Sequence, residues 1–321
     1  MKQTKKISNV TKNNDRILFF DILKIVFIAV IVYDHQQFSI IPWFNNIFFS
    51  DGQNFFNIYT NGITSLAVYG MFFISGAVLE YNYKRIENFL GYRKFLFKRF
   101  IRLYPAFWMS LIFGLVVFIT IAFEIEYMII RNNIFKIIFE YTGFYVVLGL
   151  GPGFINNMGW FIAAIFSLYI LFPYLSKIVK KYQLAAILAF LLVSFVSRYL
   201  FYTYSGILPD LLWYWFPLCN LFEFSLGIYI IQKQFYPKNQ NKYPIVLLLV
   251  DLSFYVFLFH MLIIWGIARF LPTTGPLIFV CSVYAGMWGI VLCVCWIVMI
   301  VDKEIQRTIR QNETIKKFLQ S

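Results

Sequence analysis

Residues 244–269 read PIVLLLVDLSFYVFLFHMLIIWGIAR, a run in which Asp251 and Arg269 are the only charged residues and His260 the only histidine. About 20 apolar residues wound as α-helix cross the roughly 30 Å hydrocarbon core of a bilayer. The stretch therefore reads as a transmembrane helix, and the rest of the chain has to be read with it. Comparable runs lie at 17–41, 61–82, 104–125, 158–177, 183–203, 211–232 and 276–301. Of the 321 residues 60% are hydrophobic and only 13% charged, with a mean hydropathy of +0.70. So few charges cannot cover the surface of a soluble protein of this length. A transmembrane barrel would show short segments of alternating polarity, and none is present. The expected fold is an all-α integral membrane bundle of about eight helices.

Lysine and arginine positions give the orientation, because cytoplasmic loops retain them. The N-terminal tail carries Lys2, Lys5, Lys6, Lys12 and Arg16. Segment 83–103 adds Lys84, Arg85, Arg93, Lys94, Lys98, Arg99 and Arg102. Lys177, Lys180 and Lys181 follow, then Lys233, Lys238 and Lys242, then Lys303, Arg307, Arg310, Lys316 and Lys317. The intervening loops 42–60, 204–210 and 270–275 have none, and 126–157 has only Arg131 and Lys136. Both termini are expected in the cytoplasm. The net charge of +13 then follows from topology and contact with anionic membrane lipid. No soluble basic domain exists to bind nucleic acid.

The chain reads as a cytoplasmic basic tail (1–16), one transmembrane domain (17–301) and a cytoplasmic C-terminal helix (302–321). The first apolar stretch contains Asp21 and Lys24 and is too long for a cleavable signal. Segment 126–157 is read as interfacial or re-entrant on the outer side, since a further span there would invert every later loop. Gly149, Gly151, Pro152 and Gly153 break it before Trp160. Cys219, Cys281, Cys293 and Cys295 all fall inside expected helices, which offers neither a disulfide framework nor a metal site.

Ionisable groups at membrane depth are costly and point to function. The first span holds Asp21, Lys24, Asp34 and His35. Lys24 and His35 are about 1100° of helical rotation apart, which puts them within about 20° on one face and roughly 16 Å apart in height. Such a line suits a tunnel joining the two sides. The alternative is a helix-end histidine at the headgroups with Asp21 and Lys24 paired at i,i+3. The second of the chain's two histidines, His260, reaches the outer half of its own span. Ser253 lies seven residues earlier on nearly the same face, and Asp251, close in depth to Lys24 and Asp21, is the expected partner of that lysine. Arg99 and Arg102, three apart at the cytoplasmic mouth of the third span, could fork onto phosphates or be ordinary positive-inside charge.

Together these stretches resemble the acyltransferase-3 family. Lys24-x10-His35 is similar to the basic-x10-histidine signature of its first span, and Arg99-x2-Arg102 before Leu-Tyr-Pro to its arginine-x2-arginine motif. Met71-Phe-Phe-Ile-Ser-Gly76 resembles the second-span signature, and Trp160-Phe161, Tyr169 and Pro173 the fourth. Ser253 to His260 resembles the Ser-Tyr-x2-Tyr-Leu-x-His stretch, with Phe254 and Phe257 replacing the tyrosines, and Gly227 suits the sixth span. The resemblance covers about residues 16–305. It departs at Ile165, where many members carry glutamate, a form similar to the single-domain polysaccharide O-acetyl- and succinyltransferases. It departs again at Lys233–Lys242, which stands where the usual ten-span members have about two further helices.

The resemblance implies a membrane O-acyltransferase of a prokaryotic plasma membrane. It would move an acyl group, acetyl above all, from acyl-CoA to a hydroxyl of an envelope glycan or lipid-linked sugar, with no permanently bound cofactor. His35 would act as general base or relay the acyl group, Lys24 would position the donor thioester, and Arg99 and Arg102 would hold the CoA phosphates. Asp34, His260, Ser253, Trp160 and Asp21 are supporting candidates. A transporter or flippase using the same charges as a pathway, and a non-catalytic scaffold, are the alternatives.

Overall fold

The computed structural model describes residues 16–40, 53–83, 86, 88–117, 134–150, 153–204, 212–237, 243–268 and 277–320. The tail to residue 15, loops 41–52, 205–210 and 270–275, Lys84, Arg85, Arg131, Gly151, Pro152, Lys238 and Lys242 lie outside them. Among the described residues the chain is helical and holds no strand. The order is α1 (Leu18–Ile40), α2 (Gln53–Asn82), α3 (Phe89–Val117), α4 (Ile134–Thr142), α5 (Gly159–Tyr182) and α6 (Leu184–Thr203). A short α7 (Leu212–Trp215) and a 3₁₀ turn (Pro217–Asn220) lead to α8 (Leu221–Gln232). Then come α9 (Pro244–Ala268), α10 (Leu277–Gln311) and α11 (Glu313–Gln320).

Six of the described helices, α2, α3, α5, α6, α9 and α10, are long and apolar enough to cross a membrane. Helix α1 has the length but carries Asp21, Lys24 and Asp34. The stretch expected as one span at 211–232 is broken instead. Pro217 cannot donate a helical hydrogen bond, and the chain changes to a 3₁₀ turn there before the twelve-residue α8. Helix α3 starts earlier than the expected 104, and Arg99 and Arg102, three apart, stand within it as sharing a helix face requires. Among the described residues of the segment expected to be re-entrant stands the nine-residue α4, about 14 Å long and so too short to span by itself. The last span runs without a break to Gln311, ten residues past the expected boundary.

Helix α9 is the axis of the bundle. It packs on α1, α3 and α10, and 72% of its apolar window is buried, against 17% for α6. On α6, Leu188, Leu192, Phe195 and Tyr199 form an exposed stripe at helical spacing, as a lipid-facing helix requires. The closest packing joins α2 and α8. A Cβ on Gly76 of α2 would strike the Phe224 carbonyl of α8, and one on Gly227 of α8 would strike the Phe73 carbonyl of α2. Small residues at such crossings let backbones approach where lipid supplies no hydrophobic drive. Helix α11 folds back, with Phe318 edge-on to Phe97, ring centroids 5.7 Å apart, and Arg93 lying 5.7 Å above the Phe318 ring.

Candidate active site

Helices α1 and α9 bring the two histidines of the sequence together. His35 Nδ1 is 2.8 Å from His260 Nε2, and the rings lie 14° from parallel. His260 is fully buried, and its Nδ1 lies 2.8 Å from the Val256 carbonyl. A carbonyl accepts only, so Nδ1 of His260 carries the hydrogen and Nε2 of the neutral ring carries a lone pair. That lone pair must accept from His35, which fixes the hydrogen of neutral His35 on Nδ1. The basic nitrogen of His35 is then Nε2. The tautomers thus follow from one backbone carbonyl.

His35 lines a cavity of about 430 Å³ with Asp34, Asn157, Trp160, Trp213, Tyr214 and Trp215. Asp34 Oδ1 and Asn157 Oδ1 are buried acceptors without a protein donor. Such atoms are costly unless a ligand hydroxyl or water satisfies them. Trp160 and Tyr214 pack with ring centroids 5.3 Å apart, so the wall joins aromatic faces to unsatisfied acceptors.

Residues that no sequence motif singled out hold this wall in place. Glu140 at the end of α4 is fully buried and accepts from the backbone amides of Phe154 (2.8 Å), Ile155 (3.0 Å) and Asn156 (2.9 Å). Burial pushes its carboxyl up to about 7, with the three amide hydrogen bonds acting in the opposite direction. Asn156 Nδ2 in turn donates to Ser110 Oγ at 2.8 Å and to the Leu258 carbonyl at 3.0 Å. The loop that presents Asn157 and Trp160 is therefore pinned to α3 and to α9 two residues before His260. Behind Tyr214, Arg198 donates to Glu223 at 2.7 Å and covers the Tyr69 ring at 4.5 Å. The one available signal was a charged residue inside an apolar run.

Lys24 lies at the other end of α1. Its Nζ is 3.5 Å from the Val250 carbonyl of α9, so Lys24 and His35 do share the face of α1 that meets α9. Val250 precedes His260 by ten residues, about 15 Å of helix. Asp251 takes its ion pairs from Arg16 at 3.1 Å and Lys303 at 2.9 Å, not from Lys24. Arg102, Asp21 and Arg16 lie within electrostatic range of Lys24. The Arg99 guanidinium sits 4.7 Å over the Tyr83 ring, and its buried Nε lacks a partner. Ser253 Oγ donates to the Val250 carbonyl at 2.8 Å, which commits that hydroxyl to its own helix. No group of three or more potential metal ligands occurs among the described residues.

Apolar helices around a hydrogen-bonded histidine pair, with a cavity carrying unsatisfied acceptors at one end and a cluster of cations at the other, define a multi-pass membrane protein. The acyltransferase domain family known as acyltransferase-3 matches residues 17–250, and the chain belongs to it. The match takes in Lys24, His35, both motif arginines and Trp160; His260 lies beyond its end. No curated protein and no solved structure gave a match.

Proposed function

We propose that this protein is a membrane O-acyltransferase of the single-domain, polysaccharide-modifying kind. It moves an acyl group, in the first instance acetyl, from acyl-CoA to a hydroxyl of an envelope glycan or lipid-linked sugar. The observation that carries the reading is the hydrogen-bonded histidine pair against the aromatic cavity. His35 Nε2 takes the hydroxyl proton as the oxygen attacks the thioester carbon; the thiolate leaves and is protonated in turn. Asp34 and Asn157 accept hydrogen bonds from other hydroxyls of the acceptor, and Trp160 gives a sugar ring a flat face. Lys24, Arg99 and Arg102 attract the anionic donor from the side where basic residues gather. This reading places eight helical passages in a prokaryotic plasma membrane, with both termini cytoplasmic.

The test is transfer of labelled acetyl from acetyl-CoA by purified protein in nanodiscs containing envelope glycan lipids. His35→Ala should lose about 10²- to 10⁴-fold in rate, the usual contribution of a general base, while folding normally. Wild-type protein that carries glycan lipid across the bilayer without transferring acetyl would mark a flippase.

A further inference from the structure

A groove on the flank of the bundle belongs neither to the histidine cavity nor to the arginine motif. Helix α10 ends at Gln311, and Asn312 Oδ1 accepts from the backbone amides of Thr314 at 3.1 Å and Ile315 at 3.4 Å. That side chain caps a new helix, so the chain turns and α11 comes back onto α3. Ile315, Phe318 and Leu319 of α11 are half-buried, whereas Lys316 and Lys317 are exposed. The i, i+3, i+4 spacing gives this short helix one apolar and one cationic face. Between α3, α5 and Phe318 lies a space of about 400 Å³, lined by Arg93, Leu96, Phe97, Phe100, Phe166 and Phe318. Arg93 precedes Phe100 by seven residues, so along α3 the groove runs about 10 Å from a guanidinium to a purely apolar end.

The side chains that flank the charged end are cationic on both helices, Arg93 and Lys94 on α3 and Lys316 and Lys317 on α11. Arg93 lies 5.9 Å over the Phe89 ring and 5.7 Å over the Phe318 ring. None of these cations forms an ion pair with a carboxylate of a described residue, and Glu313 is the one carboxylate on α11. A soluble anion would use the guanidinium and leave the aromatic slot in water. A zwitterionic phospholipid would bring its ammonium among like charges. A lipid with a net negative headgroup satisfies both ends, its phosphate on the guanidinium and a chain in the slot. We propose that the α3–α5–α11 groove binds one anionic glycerophospholipid. Its phosphate sits on Arg93, one acyl chain runs along Leu96, Phe100 and Phe166, and α11 closes against it through Phe318. Helix α11 is then an interfacial helix, apolar face inward and lysines toward the headgroups, whose docking on α3 follows the lipid around it. The site requires nothing of the acyl-transfer reaction.

Full-length protein is placed in nanodiscs of phosphatidylcholine alone or of phosphatidylcholine mixed with phosphatidylglycerol. Amide hydrogen exchange across 313–320 should slow about 10-fold in the mixed discs, the shift expected when the lipid exceeds its Kd by about that factor. Native mass spectrometry of the released protein should show phosphatidylglycerol retained in preference to phosphatidylcholine. Arg93→Gln should weaken that retention about 5-fold, the usual effect of one basic residue at a lipid surface, and Arg93→Lys should keep most of it at an equal melting temperature. Phe318→Ala leaves the charge unchanged, yet should also weaken retention and restore fast exchange in α11. Lys94→Gln removes the same charge beside the groove and should do less than Arg93→Gln. Equal losses in Lys94→Gln and Arg93→Gln, with full retention in Phe318→Ala, would reduce the effect to diffuse surface attraction and overturn the proposal. Exchange equally slow in both discs, or equal retention of the two lipids, overturns it as well. So does displacement of the bound lipid by CoA, which would make the groove part of a donor site.

Discussion

The histidine pair makes the sharpest prediction, because one partner can be changed without touching the proposed base. In the resting site His260 Nε2 accepts from His35 Nδ1–H at 2.8 Å, a bond between neutral groups. When His35 takes the acceptor's proton it becomes a cation, and the same bond becomes charge-assisted. Bonds of that kind contribute about 1.5–3 kcal/mol against about 1 for neutral ones. His260→Leu fills the same buried space, removes the acceptor and leaves His35 Nδ1–H without its partner on α9. The neutral bond is already present before reaction, so kcat senses only the difference of about 0.5–2 kcal/mol and should fall about 2- to 30-fold, with little change in the KM for acetyl-CoA. His260→Gln restores an acceptor oxygen and should recover part of the loss. The order expected in kcat is wild type, His260→Gln, His260→Leu, then His35→Ala. The assay is steady-state acetyl transfer, normalised to folded protein by size-exclusion chromatography. A role in packing alone would lower the yield of both His260 variants and leave the kcat of the folded fraction alone. Full kcat in His260→Leu would refute the relay, and a loss as deep as that of His35→Ala would make His260 the base itself.

Two further outcomes test the scaffold. Gly76→Ala and Gly227→Ala each drive a Cβ into a carbonyl of the facing helix; each should cost about 1–3 kcal/mol, as overpacking does. Melting temperatures in detergent check this, and a wild-type value for both would show that α2 and α8 cross less closely. Glu140 gives a pH dependence. The fold holds its carboxyl up at about 7 against an ordinary 4.5, so between those values the folded chain keeps a proton that the unfolded chain releases. The stability it contributes is present below pH 4.5 and lost as pH rises through 7, by about 3 kcal/mol. The melting temperature of Glu140→Gln relative to wild type should therefore rise between pH 4.5 and 8. A gap that stays constant, or closes, would mean that the amides of 154–156 hold a carboxylate at all pH values.

What the sequence made legible is what membrane physics makes periodic. An apolar run must be a helix, because lipid offers its backbone no partners, so α2, α3, α5, α6, α9 and α10 were readable from hydropathy alone. The common face of Lys24 and His35 was readable from helical rotation, and α9 does meet both. Contacts between helices carry no such period. That His260 bonds His35 while Asp251 turns to Arg16 and Lys303 depends on how α1 and α9 are rotated in a packed bundle. Sequence spacing along either helix is silent about that rotation.

The rule that singled out His35 still reached further than it was taken. Charges in apolar surroundings must find partners, and Glu80, Arg198, Glu223 and Asp302 were as conspicuous by that standard as Asp34. Each has a partner on another helix: Glu80 with Ser176 and Gln232, Arg198 with Glu223, Asp302 with the Tyr255 hydroxyl at 2.6 Å. Glu80, with both oxygens satisfied, lines a cavity of its own, while Arg198 Nε, Glu223 Oε2 and Asp302 Oδ1 are buried without a partner; Asp34 combines the two conditions. Asp302 has no cavity against it among those described, whereas Asp34 faces about 430 Å³ of space with an acceptor unsatisfied. A buried charge therefore points to chemistry when an unmet hydrogen-bonding atom and a cavity able to admit a ligand occur together. That condition is met beside His35, where Asp34 Oδ1 and Asn157 Oδ1 both lack a donor at the cavity.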